Sequence, residues 1–331
     1  MLDDTVSAAP KPLSAAQTGL PVIDIGGLRS PDRDERHAVG REIARACRDK
    51  GFFYISHHGI AAEKQQAVFR AAGEFFALPL EEKLAIAKAK SAANRGYEPL
   101  KGQILEPGTP PDLKEGVYIG RDLPEDDPRV LAGKFNHGPN QWPAAPTGFR
   151  EAMEDYLADM VALSEILMRG LALSLDLPED YFDAFCTEPM TTIRLLHYPP
   201  QPPNADMQQK GAGAHTDFGG LTLLLQDENA GLQVWDHQAD HWINAPPLPG
   251  TYVVNLGDMF ARWTNDLYRS TLHRVINHSG RERYSIPFFY SGNPDHQVAC
   301  LPNCLAPGAQ PRYPVTTVED HNREMYRRTY G

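Results

Sequence analysis

The sequence has no long apolar run, few cysteines and no excess of positive charge, and each absence removes a class of function. No hydrophobic stretch approaches the ~20 residues that a membrane-spanning helix needs, so no membrane partner is expected. Cys47, Cys186, Cys300 and Cys304 are too few and too scattered in 331 residues for a disulfide framework. Cys300 and Cys304 lie close in sequence, but no second pair completes a zinc site. Free thiols in a reducing cytosol are the expectation. The formal net charge of −11 argues against a nucleic-acid partner, which would show a basic stripe. Basic residues cluster only in "KLAIAKAK" and "REMYRRTYG", which suit solvated helix faces or a tail. The opening "MLDD" lacks the charged-then-apolar pattern of a secretory signal, and a cytoplasmic protein is expected. No Lys-Ser/Thr follows Gly219 and Gly220, so they are not a phosphate loop. No paired-carboxylate or Ser/His/Asp signature is present either.

What remains is an ordinary globular composition, 41% hydrophobic and 23% charged. Residues 1–18, rich in Ala, Pro and Ser, are expected to form a disordered tail. Residues 19–146 form an N-terminal helical cap region. "LPVIDI" predicts a first strand. "SPDRDERHAVGREIARACRDK" predicts a helix opened by Ser30 and Pro31, with Val39, Ile43, Ala44 and Cys47 on its apolar face. "GFFYISHHGI" predicts a strand ended by Gly59, and "AAEKQQAVFRAAGEFFALP" a second helix. The span from Asn94 to Pro146 is dense in Gly and Pro and predicts a long surface excursion.

Residues 147–331 are expected to form the core, as one unit with the cap region, and to hold the site. "FREAMEDYLADMVALSEILMRGLALSLDLP" carries the strongest helical stripe, Met153, Leu157, Met160, Leu163 and Leu167. Only short strand-like runs follow: "TTIRLLHYPP", "LTLLLQD", "GLQVWD", "TYVVNLGDM", "HRVIN" and "RYSIPFFYS". Helices first and strands afterwards predict an α+β protein with a mainly β core, a sandwich or barrel.

The chemistry concentrates in "GAHTDFGGLTLLLQD". If this segment is extended, His215 and Asp217 project to one face. Together they are two-thirds of a 2-His-1-carboxylate set, which leaves part of an octahedral Fe(II) open. The third ligand must be distant, and His273 in "STLHRVIN" is the natural candidate, since an unpaired histidine among Leu272, Val275 and Ile276 would be costly to bury. His57, His58, His137, His197, His237, His241, His278, His296 and His321 stand in contexts that suit surface or structural roles. Arg283 and Ser285 in "RYS" repeat the i, i+2 pattern. Arginine offers a planar fork for a carboxylate and serine adds a donor. "NHSGRE" resembles a turn. An even hairpin would set Ser285 opposite His273 and Arg283 opposite Val275, so that a short dicarboxylate could bridge metal and Arg283.

Taken together, these stretches resemble the isopenicillin N synthase-like branch of the Fe(II)/2-oxoglutarate-dependent oxygenases. The resemblance runs from about Leu20 to about Asn293 through "LPVIDI", "GFFYISHHGI", "RLLHYPP", "GAHTDFGGLTLLLQD", "GLQVWD", "GTYVVNLGDMFARWTND", "STLHRVIN" and "RYSIPFFY", in the family's order. It implies a double-stranded β-helix (jelly roll) with flanking N-terminal helices. It implies Fe(II) ligation by His215, Asp217 and His273, and a grip on the distal carboxylate of 2-oxoglutarate by Arg283 and Ser285, with the Tyr198 hydroxyl also reaching this cosubstrate. Many members carry Asn-Tyr-Tyr-Pro where this chain has Leu196-His197-Tyr198-Pro199, so the asparagine's contact is lost or replaced.

The implied reaction consumes 2-oxoglutarate and O2, releases succinate and CO2, and oxidises a C–H bond of a small organic substrate. Three alternatives share part of the pattern: an isopenicillin N synthase-like Fe(II) oxidase without 2-oxoglutarate, an ethylene-forming enzyme that fragments 2-oxoglutarate, and a non-catalytic metal- or ligand-binding β-barrel. Substrate contacts are expected from the Asn94–Gly120 region, with Arg95, Tyr97, Lys114 and Tyr118 as candidates, from the inward face of "IPFFYSG", and from the C-terminal segment. Gly257 and Asp258 are expected to make a tight turn, and Trp235 and Trp242 to be core aromatics.

Overall fold

Strict alternation along the later strands sorts their side chains onto two faces, and that sorting builds the molecule. The computed structural model describes residues 19–201, 208–277 and 279–330. The tail expected over residues 1–18, and His278, lie outside the described residues.

The chain opens with β1 (Val22–Asp24), α1 (Arg33–Asp49), β2 (Phe52–Ser56), α2 (Ala62–Phe76) and α3 (Leu80–Ala85). Asp32 caps α1, its carboxylate accepting the Asp34 amide at 2.8 Å, two residues later than Ser30 predicts. Ser30 instead accepts the amide of Asp32. Next come β3 (Gly96–Glu98), β4 (Glu115–Gly120), α4 (Pro128–Leu131), the 26-residue α5 (Phe149–Ser174) and α6 (Asp183–Cys186). The span expected to be a surface excursion therefore contributes two strands. Every residue of β4 is buried, because β4 pairs with β3 on one side and with the next strand on the other. Its two glycines and its short length hid that role.

The remaining elements are β5 (Met190–Tyr198), β6 (Ala212–His215), β7 (Leu221–Gln226), β8 (Leu232–Asp236), β9 (His241–Asn244), β10 (Tyr252–Leu256), α7 (Asp258–Trp263), β11 (His273–Val275), β12 (Arg283–Gly292), β13 (Gln297–Val298), β14 (Thr316–Thr317) and α8 (Val318–Tyr330). Eight strands form the major sheet in the order β1-β2-β10-β7-β12-β5-β4-β3, and four form the minor sheet, β6-β11-β8-β9. Among these strands only the β1–β2 pair is parallel. This is a jelly roll with flanking helices.

On β5, β7 and β12 the odd–even split is clean. Ile193, Leu195, Leu221, Leu223, Leu225, Ile286, Phe288 and Tyr290 join the large core with Met153, Met160, Leu163 and Leu167 of α5. Their alternates, Arg194, Leu196, Tyr198, Thr222, Leu224, Ser285, Pro287 and Phe289, turn towards the minor sheet and line a cavity. A sheet covered on both faces explains why "LTLLLQ" is nearly all apolar.

Two expectations fail here. Trp235 and Trp242 are half-buried, not core; they pair edge-to-face across β8 and β9, with the Arg274 guanidinium 4.1 Å from the Trp242 ring centre. And β11 and β12 are not a hairpin. β11 pairs with β6 and β8, whereas β12 pairs with β5 and β7 in the other sheet.

Candidate metal centre

His215 closes β6, and Asp217 lies beyond the strand, not on it. Their convergence therefore comes from the turn after β6. That turn is clamped by the start of α7: the amides of Gly257, Asp258 and Met259 donate to the carbonyls of Gly220, Asp217 and Phe218 at 3.2, 2.8 and 3.3 Å. A Cβ on Gly257 would lie 2.2 Å from the Gly219 carbonyl oxygen and 2.9 Å from that of Asp217, so the approach demands glycine. Asp258 starts a short helix rather than a bare turn, and its carboxylate accepts the hydroxyls of Thr216 and Ser270. It thereby ties together the segments that lead to both histidines.

His273 pairs directly opposite His215 across β11 and β6. Ligand atoms of His215, Asp217 and His273 all lie within 4.8 Å of one another. Asp217 Oδ1 is 3.9 Å from His215 Nε2 and 3.8 Å from His273 Nε2. In each ring Nδ1 faces a backbone carbonyl, Gly213 O at 2.7 Å and Thr271 O at 3.2 Å. A carbonyl accepts, so Nδ1 carries the hydrogen and Nε2 presents its lone pair to the centre. Asp217 Oδ2 is occupied by the Thr222 hydroxyl at 2.7 Å and the Asn255 amide at 2.8 Å, which leaves Oδ1 for the centre.

Electrostatics favour the ligating forms. Burial, then the neighbouring His273, push His215 down to about 3, so its imidazole is neutral. Burial by itself would raise Asp217. The two imidazoles and the bonds from Asn255 and Thr222 outweigh it and hold the carboxyl below its usual value. Two imidazole nitrogens and one carboxylate oxygen, pre-aimed and buried, suit a borderline cation such as Fe(II).

Arg283, Ser285 and Tyr198 face this centre from the opposite sheet. All three line one inner cavity of about 60 Å³ with His215, Asp217 and His273. Arg283 is fully buried. Its Nε donates to Asn229 O at 3.1 Å and its Nη2 to Gln226 Oε1 at 2.9 Å, while Nη1 is buried without a partner. Its guanidinium carbon lies 4.9 Å from the Tyr198 ring centre. Leu196 lines the cavity as an apolar side chain. His197 turns to the far face and bonds Glu115 at 2.8 Å.

A second, outer cavity of about 90 Å³ adjoins the triad and shares Leu105, Arg194, His215, Asp217 and Phe289 with the inner one. Of the expected substrate contacts, Tyr118 lines the outer cavity and Lys114 the inner one, where burial lowers Lys114 to about 8 beside its partner Asp112. Arg95 and Tyr97 do not reach either. Arg95 donates to the carbonyls of Ala93 and Asn136, and Tyr97 to Glu115. The inward face of β12 and the C-terminal helix do contribute, through Phe289, Ser291, Asn322 and Tyr326. Sequence reasoning missed Arg194, although its even spacing from Tyr198 on β5 was the available signal. It also missed Thr222 and Asn255, which only the strand pairing reveals.

Among the described residues, no strand pairs with the outer edge of β6. The amides of Gly213 and Ala214 donate instead to side chains of the loop before β4, Asp112 Oδ1 at 2.9 Å and Glu106 Oε2 at 2.8 Å. Lys114 and Lys210 neutralise those two carboxylates.

Residues 20–145 match the family model described as non-haem dioxygenase in morphine synthesis N-terminal, and residues 189–292 match that of the 2OG-Fe(II) oxygenase superfamily. The chain is 49% identical over 320 residues to the 2-oxoglutarate-Fe(II) type oxidoreductase hxnY of Emericella nidulans, covering 96% of this chain and 92% of that protein. It is 41% identical over 320 residues to the 2-oxoglutarate-dependent dioxygenase citB of Monascus ruber, covering 94% and 96%. Among solved structures, a full-length Neurospora crassa protein in complex with alpha-KG and thymine superposes with a TM-score of 0.83 at 30% identity, covering 96% of this chain and 99% of that one.

Proposed function

The chain belongs to the 2OG-Fe(II) oxygenase superfamily, and on that premise we propose that His215, Asp217 and His273 hold its Fe(II) while Arg283 and Ser285 receive the far carboxylate of 2-oxoglutarate, with the Tyr198 hydroxyl also reaching this cosubstrate. The protein is an Fe(II)- and 2-oxoglutarate-dependent dioxygenase, an oxidoreductase acting with O2 on a small organic molecule. Iron, 2-oxoglutarate and O2 together supply the oxidative decarboxylation to succinate and CO2 that is coupled to oxidation of a substrate C–H bond.

The chain's own residues set the geometry for that chemistry. The triad would hold the metal in the wall of the inner cavity, and His215 and Asp217 line the outer one as well. Thr222 and Asn255 fix which carboxylate oxygen faces the metal, and the carbonyls of Gly213 and Thr271 fix which imidazole nitrogens do. The observation that carries the cosubstrate assignment is the unpartnered Nη1 of Arg283, in the same cavity as the triad. A buried guanidinium N–H without an acceptor is costly, and a carboxylate offsets that cost with a charge-assisted bond.

The order of the strand motifs supports placing the chain in the isopenicillin N synthase-like branch. Free thiols at Cys47, Cys186, Cys300 and Cys304 support a reducing, cytoplasmic setting. The shared major sheet, with β1–β4 from the first part and the rest from the second, supports treating residues 19–146 and 147–331 as one catalytic unit. The thymine complex of the Neurospora relative supports a substrate of similar, single-ring size. The test is anaerobic reconstitution with Fe(II) and 2-oxoglutarate, then admission of O2 with a compound library. Succinate release coupled to a mass gain of one oxygen atom in one compound is expected. Absence of succinate under every condition would refute the assignment.

A further inference from the structure

Apart from Asp217 of the triad, one charged side chain appears among the described residues lining the outer cavity, Arg194. Strand alternation on β5 aims it inward together with Leu196 and Tyr198. Its side chain is 12% exposed, so its charge acts in a largely dehydrated wall.

The guanidinium is held before any ligand arrives. It donates to the Tyr118 hydroxyl and, at 3.2 Å, to Gln103 Oε1. Its carbon lies 4.3 Å from the Tyr118 ring centre and 6.0 Å from that of Phe289. Lys88 sits 4.2 Å from the same Tyr118 ring. Glu98 is nearer to Lys88, at 3.0 Å, than to Arg194, at 3.7 Å. Tyr118 and Gln103 are neutral groups whose bonds fix the orientation of Arg194, while Glu98 pairs with both Arg194 and Lys88, so two cations share that one carboxylate. Phe218, Phe289 and Tyr326 add aromatic surface to the same cavity, and Asn322 and Ser291 add short polar groups.

We propose that the outer cavity selects a small planar ring bearing an oxygen acceptor, a carboxylate or a ring carbonyl, and that Arg194 is the specificity-determining residue that receives this oxygen. The inference rests on the dioxygenase reading and deepens it. The aromatic side chains pack the ring, and the guanidinium supplies the directional contact. Because Arg194 lines both cavities, an acceptor held there keeps the rest of the ring beside the triad. The balance is that of a hydroxylation: R–H, O2 and 2-oxoglutarate give R–OH, succinate and CO2. Arg194 binds and orients; it exchanges neither electrons nor protons.

The test uses the iron-loaded full chain and matched ring pairs. One arm holds methyl-substituted benzoates, a second holds methyl-substituted cyclic imides, and the controls are methylbenzenes without an acceptor. Succinate release is followed with each compound and with none. Wild-type enzyme is expected to use acceptor-bearing rings with about 10-fold or greater advantage in kcat/KM. Arg194→Gln is expected to reduce that selectivity to near unity, and Arg194→Lys to keep part of it for the benzoates. Stimulation by either arm supports the inference and identifies the source of the oxygen. Equal use of acceptor-bearing and plain rings by the wild type overturns it. So does unchanged selectivity in Arg194→Gln, or no stimulation by either arm while ring-free succinate release persists. Failure of the wild type to release succinate with or without rings would instead overturn the dioxygenase reading, and this inference with it.

Discussion

Asn255 on β10 donates its amide to Oδ2 of Asp217 at 2.8 Å, so a residue of the major sheet aims a carboxylate that serves the minor sheet. Losing that bond frees the carboxylate to rotate. Asn255→Ala and Thr222→Val are each expected to weaken Fe(II) affinity by about 10- to 100-fold, the usual cost of removing such an outer partner. Anaerobic equilibrium dialysis checks this. His215→Ala, Asp217→Ala and His273→Ala should abolish turnover outright, and full activity in any of them would contradict the ligand assignment.

Arg283→Ala should raise the KM for 2-oxoglutarate by roughly 10- to 100-fold, the worth of a lost charge-assisted pair. Its effect on kcat at saturating cosubstrate should be much smaller. Arg283→Lys keeps the charge but loses the fork, and should fall between. Steady-state succinate assays separate these outcomes, and an unchanged KM would remove Arg283 from the cosubstrate site.

The metal-free protein should lose stability as pH falls from about 6.5 towards 3. His215 has its folded value lowered from 6.5 to about 3, so the unfolded chain binds a proton that the folded chain refuses. That contribution is complete above the unfolded value and lost on acidification through the folded one. The buried His58 and His321 are shifted in the same direction, both chiefly by burial. Thermal denaturation against pH should show the slope, and His215→Gln should flatten it. A pH-independent melting temperature across this window would contradict the buried, neutral imidazole.

Gly257→Ala should damage the centre without touching it. The new methyl group would lie 2.2 Å from the Gly219 carbonyl oxygen, so either the turn that carries Asp217 or the start of α7 must move. Reduced iron affinity together with a lowered melting temperature is the expected pair of effects. A variant that binds iron like the wild type would show that the turn has slack.

Much of the site was legible because the strand period constrains which side chains share a face. Arg283, Ser285, His273 and His215 do share one cavity, as that period predicts. The period says nothing about which strand pairs with which. Facing across a sandwich and pairing in a hairpin put the same residues in the same interior, and β11 and β12 take the first arrangement. Asp217 lies past the end of β6, so its aim comes from hydrogen bonds to residues some forty positions later, which no local pattern encodes. Arg194 went unnoticed because a charged residue amid "TTIRLLHY" looks like an interruption of a strand until its neighbours on the adjoining strands are known. β4 was hidden for a related reason: "EGVYIG" is short and carries two glycines, and it is held by pairing on both sides more than by its own composition.

The carboxylates of Asp112 and Glu106 on the rim of β6 have a consequence for solubility. An outermost strand with open amides is a template on which another chain can add a strand, and such addition leads to aggregation. In β6 the Gly213 and Ala214 amides already end on side chains from the loop before β4, each backed by a lysine. The strand that carries His215 is thus closed to strangers by charged groups of its own chain. The sheet margin beside His215, where a stray strand would do the most harm, is guarded in this way.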